Sequence, residues 1–531
     1  MSDDIVVTGA TAPSGKKYYV AAQGANVACI PKTEMTVGST AFINRLTAAD
    51  ITLFTNADKA QFLAQAKAIS QFPPLAIAEQ VGWNGNLFAM PDGSLAQPLG
   101  SSLEGFSAFI PTSDRFASTG SLKRWKADVA EKLSGQLFGE LMLIFPFVSP
   151  LLRLNPSFEN FGLLLVAAKG KGKTTLLDLS ASVVGGVKGG TGQPYWHLLS
   201  FTLNALEDLM EEHRDHPLML DDSSRTLATM DKKQAGQFMT GLAYLLEGGQ
   251  PKARLGNRPA PKSRFAFQIT ANASMLDVLE SVSAVEDAAL DRLLTLRIPD
   301  DWEYGTFKFL PDDYDDAPTY AAALKAAAIG NHGHAFRKFV KCLVQSENTD
   351  PAGLRDEISS YVAEFKRKAG PTSNEGTDHR IVLAFAAIYV AGKLAQKFRV
   401  IPASFRPGRT ALQTYRLHMA ERQSVLTPLQ QLERLARSDR TLRIDPDADR
   451  QERAANAQSA LATIYLKDGH REMRVSPKCI EAALPGFGRG KQMAEFRRLM
   501  LPGDGGHLTA KSVLAPGMGK MRLYRFRLPG E

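Results

Sequence analysis

The sequence predicts an α/β protein, with a central layer of alternating strands and helices between a small α+β unit and a helical, then basic, C-terminal region. Three observations carry that prediction. From Phe161 to Pro299 short apolar runs alternate with helical patterns, as in α/β layers. Within this stretch "GLLLVAAKGKGKTTLLDLSASV" reads as strand, glycine-rich loop and helix in direct succession. The chain has 531 residues, 44% hydrophobic and 22% charged, which suits a soluble globular protein too long for one core.

The first hundred residues mix strand-like runs ("KKYYVAA", "NVACIP", "NLFAMPDGS") with one helical pattern, "ADKAQFLAQAKAIS". They form a small α+β domain, placed at 1–115, in which "PDGS" marks a turn. A helical connector follows at 116–157. Its apolar run from Leu137 contains Glu140, Pro146 and Pro150, so it is expected as buried helix and not as a membrane span. The α/β core occupies 158–300, and a helical bundle occupies 301–425. The last segment, 426–531, has short helices and then "HLTAKSVL" and "MRLYRFRL" across the Gly-rich "APGMGK". Helices followed by a two-strand hairpin predict a winged helix there.

Charge is unevenly placed. From Ile401 onward there are 23 Lys and Arg against 13 Asp and Glu, an excess of +10 in a chain whose total is +8. A basic terminal quarter on a near-neutral body points to a polyanionic partner. Cys29, Cys342 and Cys479 are far apart and odd in number, which argues against a disulfide framework or a cysteine zinc site. His332 and His334 are read as solvated loop residues. The N-terminus lacks the charged start and apolar core of a signal peptide, so a cytoplasmic location is expected.

The loop in the central layer fits A/G-x-x-x-x-G-K-S/T, with Ala167 in first place. Gly170 and Gly172 allow sharp turns, so that the N–H groups from Ala168, Lys169, Gly170, Lys171 and Gly172 to Lys173, Thr174 and Thr175 face phosphate oxygens. Lys173 would reach the β and γ phosphates of ATP, and Thr174 would hold Mg²⁺. The following helix adds a favourable dipole. The competing reading is a basic turn between two buried elements.

Two further stretches supply partners for such a loop. "HPLMLDDSSR" places an apolar strand directly before Asp221 and Asp222. That strand is expected beside the loop's own strand, with Asp221 on the metal and Asp222 orienting the attacking water. "RFAFQITANAS" brings Asn272 to a strand end, where an amide can sense the γ-phosphate. After it, Arg292 is suited to reach a neighbouring subunit's nucleotide, with Arg297 as the competing residue. Between the two lies "GGQPKARLGNRPAPKSRF", whose Lys252, Arg254, Arg258, Lys262 and Arg264 surround a Gly-Asn turn without an acidic residue. This is a hairpin suited to nucleic-acid backbone.

This order of loop, Asp-Asp strand, basic hairpin, Asn strand and arginine resembles a ring-forming AAA+ ATPase of the superfamily III and minichromosome-maintenance helicase type. Closer still is the resemblance to the domain-of-unknown-function 927 family, which includes cassette-chromosome helicases. It is carried by "VGWNGNLFAMPDG", "KGKGKTTLLDLSASVVGG", "YWHLLSFTLNALEDLMEEHRDHPLMLDD", "GGQPKARLGNRP" and "HRIVLAFAAIYVAGKLAQKF". The resemblance implies a hexameric, ATP- and Mg²⁺-dependent translocase on single-stranded or forked DNA, used in replication of a mobile element or phage. It also implies that Arg380 is a second sensor of nucleotide. The alternative is an ATP-dependent replication initiator that binds DNA without processive unwinding. The family pattern has Asp-Glu where this chain has Asp221-Asp222, one methylene shorter.

Overall fold

The computed structural model describes residues 5–528 except 36–39, 54, 100–104, 110–113, 201–202, 222–229, most of 231–262, 273–292, 371–375, 424–427, 438–440, 444–459, 461, 468–469, 485–486, 488–489, 506 and 515–517. The chain divides into two compact units. One comprises Met1–Thr229, Gly241–Ser274 and Asp291–His418; the other comprises Met230–Thr240, Met275–Leu290 and Met419–Glu531.

The first unit begins with an antiparallel sheet, β1 (Val6–Thr11), β2 (Lys17–Gln23) and β3 (Asn26–Pro31). Its inner side chains Tyr19, Ala21, Ala28 and Ile30 alternate along the strands, as a half-buried sheet requires. They pack on helices α1 (Ala41–Ala48) and α2 (Asn56–Ala68) through Phe42, Leu46, Phe62 and Ala66. Helix α2 starts at a capping box, in which Thr55 accepts from Asp58 N and Asp58 accepts from Thr55 N.

Short strands β4 (Ile77–Ala78) and β8 (Phe106–Ser107) pair in parallel. Between them β5 (Gly82–Asn84), β6 (Leu87–Ala89) and β7 (Leu95–Ala96) form a meander. This is the "GWNGN" stretch, and it is fastened to the core. Trp83 N donates to Asp215 Oδ2 (3.0 Å), and its indole Nε1 donates to Pro150 O (2.9 Å). Asp215 itself sits at φ 57°, and a Cβ on Gly82 would fall 2.4 Å from its carboxylate. Only glycine fits that approach.

The expected helical connector breaks into short turns: α3 (Leu122–Trp125), a π-turn over Lys126–Ala130, α4 (Leu137–Ile144) and a 3₁₀ stretch over Phe145–Leu151. Pro146 and Pro150 lack the N–H that an α-helix needs, which explains the change of helix type after α4. Glu140, 3% exposed in this apolar run, is satisfied by Gly135 N, Arg406 N and the Thr410 hydroxyl.

The central sheet contains β9 (Phe161–Val166), β10 (His197–Leu198), β11 (Leu218–Asp221), β12 (Ala266–Ala271) and β13 (Leu293–Arg297), in the order β10-β11-β12-β9-β13 and all parallel. Burial on both faces accounts for the uninterrupted apolar text of β9 and β11. Helix α5 (Lys173–Ser182) follows β9, and α6 (Leu203–Glu212) precedes β11. The unit ends in helices Ala317–Gly330, His334–Thr349, Pro351–Ala369 and Gly376–Lys397 and in the part of helix Pro407–Gln423 up to His418.

Both histidines of "NHGHAF" depart from the sequence reading: His334 opens the helix His334–Thr349 and its Nε2 is buried. His332 is 2% exposed and donates through Nδ1 to the carbonyls of Ala328 and Ile329, closing the end of the preceding helix. It is a helix-capping residue and not a solvated one.

The second unit is built on β14 (Thr441–Arg443), β15 (Ala462–Lys467), β16 (His470–Val475), β17 (Ala510–Val513) and β18 (Lys520–Arg527), ordered β14-β15-β16-β18-β17. The β17–β18 hairpin lies where the sequence places it, but it belongs to a wider sheet joined through β16. Phe496, Phe526, Met473, Val475, Leu432 and Leu484 fill its core. Among the described residues, no helix is long and apolar enough to cross a membrane.

Candidate nucleotide-binding site

The site lies at the carboxyl edge of the central parallel sheet, where loops leave adjacent strands and such folds bind ligands. Ala167 follows β9, and the loop to Gly172 leads into α5. Gly170 (φ 84°) and Gly172 (φ 94°) take the left-handed region, with Gly172 as the N-cap of α5. The loop is therefore a tight turn ending on a helix N-terminus, where backbone N–H groups and the helix dipole favour an anion.

Lys173 is the first residue of α5. Its Nζ donates to Ala167 O (2.7 Å), Ala168 O (3.0 Å) and Asn272 Oδ1 (2.8 Å). The ammonium thus bridges the loop and the end of β12. Thr174 faces Asp221, with its hydroxyl 3.4 and 3.2 Å from the two carboxylate oxygens. Asp221 ends β11 and is 5% exposed. Its Oδ1 also accepts from Thr270 of β12 at 2.5 Å.

The sheet order corrects one expectation. The Asp221 strand does not lie beside the loop's strand; β12 is inserted between β9 and β11. Asp221 still reaches Thr174 because all three strands are parallel and end at the same edge. The insertion explains why β12 carries so many polar contacts. Asn272 and Thr270 are two positions apart, on one side of the strand line, and Gln268 continues the series. Gln268, 1% exposed, accepts from Ser180 of α5 (2.8 Å), so β12 also holds the helix that follows the loop.

Other sequence-derived residues fall into three groups. Asp222, Arg292, Lys252, Arg254, Arg258 and Lys262 lie outside the described residues. Arg264 is exposed at the opposite, amino edge of β12, and its carbonyl accepts from Asp215 N (2.6 Å). Arg297 ends β13 beside Val166, the residue before the loop.

The structure does not bring Arg380 to the loop. Its guanidinium is 3.8 Å from Glu159, which precedes β9, whereas the loop follows β9. A six-residue strand, about 20 Å long at about 3.3 Å per residue, separates the two. The Arg380 assignment rested on resemblance of a helical segment, whose start lies at the far edge of this sheet.

The donor set fits a magnesium nucleotide. A threonine hydroxyl and a carboxylate are the hard oxygen ligands that Mg²⁺ takes, with phosphate oxygens completing its shell. Lys173 already gathers three oxygens around its charge, and phosphate oxygens are stronger acceptors than carbonyls. Two residues escaped the sequence reading. Thr270 was discoverable from its period-2 relation to Asn272; Thr306, whose N–H donates to Lys171 O (2.9 Å), carries no local signal.

A parallel α/β sheet with a glycine-rich loop at its carboxyl edge defines a class of phosphate-binding proteins. The model of the family described as Domain of unknown function (DUF927) matches residues 19–260 of this chain, somewhat less than half of its length. The structure described as SCCmec type IV Cch, an active helicase, matches with a TM-score of 0.62 and 17% identity, over 99% of this chain and 93% of that one. The two share a fold. The NrS-1 C-terminal region matches at a TM-score of 0.27 and 10% identity, over 74% of this chain and 87% of that one. The inhibitor-bound JCV helicase matches at 0.22 and 12%, over 50% and 65%. No protein with a curated description matches the chain by sequence.

Proposed function

We propose that the protein is an ATP-driven DNA translocase of the AAA+ type, a ring-forming helicase that serves replication of a mobile element or phage. The observation that supports this reading best is the convergence of Lys173, Thr174, Asp221 and Asn272 at one sheet edge, with strand order β10-β11-β12-β9-β13. Lys173 binds the β and γ phosphates and Asn272 reports the presence of the γ-phosphate. Thr174 and Asp221 would hold Mg²⁺, which neutralises phosphate charge when bound. Asp222 orients water, while Arg292 or Arg297 acts across a subunit boundary in a hexamer.

DNA contact falls to the basic stretch Lys252–Arg264 and to the C-terminal unit. In the latter, Lys511, Lys520, Arg522, Arg497 and Arg498 are exposed. That unit is proposed as a winged-helix-like duplex binder on a sheet wider than a two-strand wing. The segments 1–115, 116–157, 158–300, 301–425 and 426–531 remain the proposed functional divisions, with the motor in the third and a cytoplasmic location for the whole.

The test is ATP hydrolysis with and without forked DNA, beside strand displacement. Hydrolysis stimulated by DNA and lost in Lys173→Ala, with displacement lost when Arg254 and Arg258 become Ala, is the expected result. A protein that loads onto DNA equally well as Lys173→Ala and never separates strands is instead an initiator.

A further inference from the structure

After β13 the chain passes through Pro299–Phe309 and returns to the back of the glycine-rich loop. Thr306 N donates to the Lys171 carbonyl at 2.9 Å. A Cβ on Gly305 would stand 2.6 Å from that same oxygen, and the residue's φ of 66° disfavours any side chain. The loop makes a matching concession: a Cβ on Gly172 would meet Thr306 Oγ1 at 2.8 Å. Thr306 is 1% exposed, and its hydroxyl has no hydrogen-bond partner among the described residues. Gly305 therefore lets the two backbones approach, and Gly172 leaves room for the Thr306 side chain, as other residues could not.

The turn is anchored on its other side. Gln136, fully buried at the start of α4, donates to Phe309 O (2.6 Å) and accepts from Lys308 N (2.9 Å). Phe307 packs on Tyr320 with ring centroids 4.8 Å apart, and Trp302 packs on Phe138 at 5.3 Å. The Lys171–Gly172 peptide is thus tied through Gly305 and Thr306 to a support outside the loop. Ordering a free glycine-rich loop around phosphate costs conformational entropy, so a loop held beforehand binds more tightly.

We infer that the Gly305–Thr306 turn is a brace that keeps the phosphate loop in its binding shape. Gly305, Thr306 and Gln136 are positioning residues, acting through the Lys171–Gly172 peptide. This rests on the nucleotide reading of the loop and adds residues that its motif does not contain.

The experiment measures the affinity of the full chain for a fluorescent ADP analogue, with thermal unfolding and steady-state hydrolysis alongside. Gly305→Ala introduces the clash. Gln136→Leu releases the far anchor. Gly85→Ala is the control, because Gly85 shares a similar φ of 62° but has no atom within 4 Å of its would-be Cβ. Gly305→Ala and Gln136→Leu should each weaken binding about tenfold, while kcat at saturating nucleotide stays within about threefold and Gly85→Ala binds as the parent does. Parent-like affinity in folded Gly305→Ala or Gln136→Leu overturns the brace. So does an equal loss in Gly85→Ala, which would mean general destabilisation. If Gly305→Ala does not fold, Gln136→Leu decides. A parent chain that binds no nucleotide, or a Lys173→Ala chain that binds it unimpaired, removes the nucleotide reading itself and the brace with it.

Discussion

Lys173 and Asn272 are 99 residues apart in sequence, yet the lysine ammonium donates to the asparagine amide oxygen at 2.8 Å. The contact joins the residue that would bind phosphate to the end of the neighbouring strand. The two should therefore fail differently. Lys173→Ala removes a charge-assisted contact to phosphate, so nucleotide affinity should fall about a hundredfold. Asn272→Ala leaves the loop intact but removes the amide proposed to sense the γ-phosphate, so kcat should fall by roughly tenfold or more with a smaller change in affinity. Equal losses of affinity in both variants would show that Asn272 merely shapes the lysine.

Thr270 gives a second prediction, because its hydroxyl fixes the rotation of the Asp221 carboxylate that faces Thr174. Thr270→Val keeps the side-chain shape and deletes the hydrogen bond. Half-saturation of hydrolysis by Mg²⁺ should move several-fold higher, and stability should drop by about 1 kcal/mol. A magnesium titration that superimposes on the parent's would show that Asp221 needs no such guide.

The loop and its two partner strands were legible because their signals are local. An apolar run, two glycines and Lys-Thr specify strand, turn and helix without reference to the rest of the chain. Sheet order was not legible, since nothing within "PLMLDD" says whether β9 or β12 will lie beside it; that is settled by packing on both faces. His332 was misread for a similar reason. Its solvation depends on the helix that it caps, and a short polar stretch such as "NHGHAF" cannot reveal that. The Thr306–Lys171 bond joins segments 135 residues apart through backbone atoms, which no side-chain pattern encodes.

Arg380 provides a prediction in which little should change. Both members of its ion pair with Glu159 are about half exposed, at 51% and 53%, and their closest approach is 3.8 Å. Exposed pairs of this kind contribute roughly 0–1 kcal/mol. Arg380→Ala should leave stability nearly unchanged and nucleotide affinity within about twofold of the parent, as expected for a weak surface pair. A tenfold loss of affinity would restore the sensor role and require a contact made by a second subunit.

The edge of the central sheet carries a built-in acid sensitivity. His213 is fully buried, and a carbonyl at Pro217 accepts from its Nδ1 at 2.9 Å. Its Nε2 is then an acceptor, so the proton between it and Nε2 of His197, 3.0 Å away, belongs to His197. His216 is buried against Phe88 and Phe336, with Nδ1 donating to Arg214 O. Burial pushes His213 down to about 4, His216 to about 3 and His197 to about 2, with Arg115 also disfavouring charge on His213 and His197. Asp92 acts weakly the other way on His216. A histidine that stays neutral when folded contributes stability that is complete above its unfolded pKa, near 6.5, and is lost as pH falls toward the folded value. His213 alone would cost on the order of 3 kcal/mol by the time the solution is more acidic than both values. Buried Asp215 opposes this in part. Its folded pKa is raised to about 6, so it destabilises the fold as pH rises through that range and relieves it on acidification. Three histidines outweigh one aspartate, and denaturant midpoints should fall between pH 6.5 and 5. His213→Asn retains a donor for Pro217 O and cannot be charged, so its stability should fall less steeply with acid, by up to about 1.4 kcal/mol per pH unit. An unchanged slope in that variant would mean that the acid response originates elsewhere.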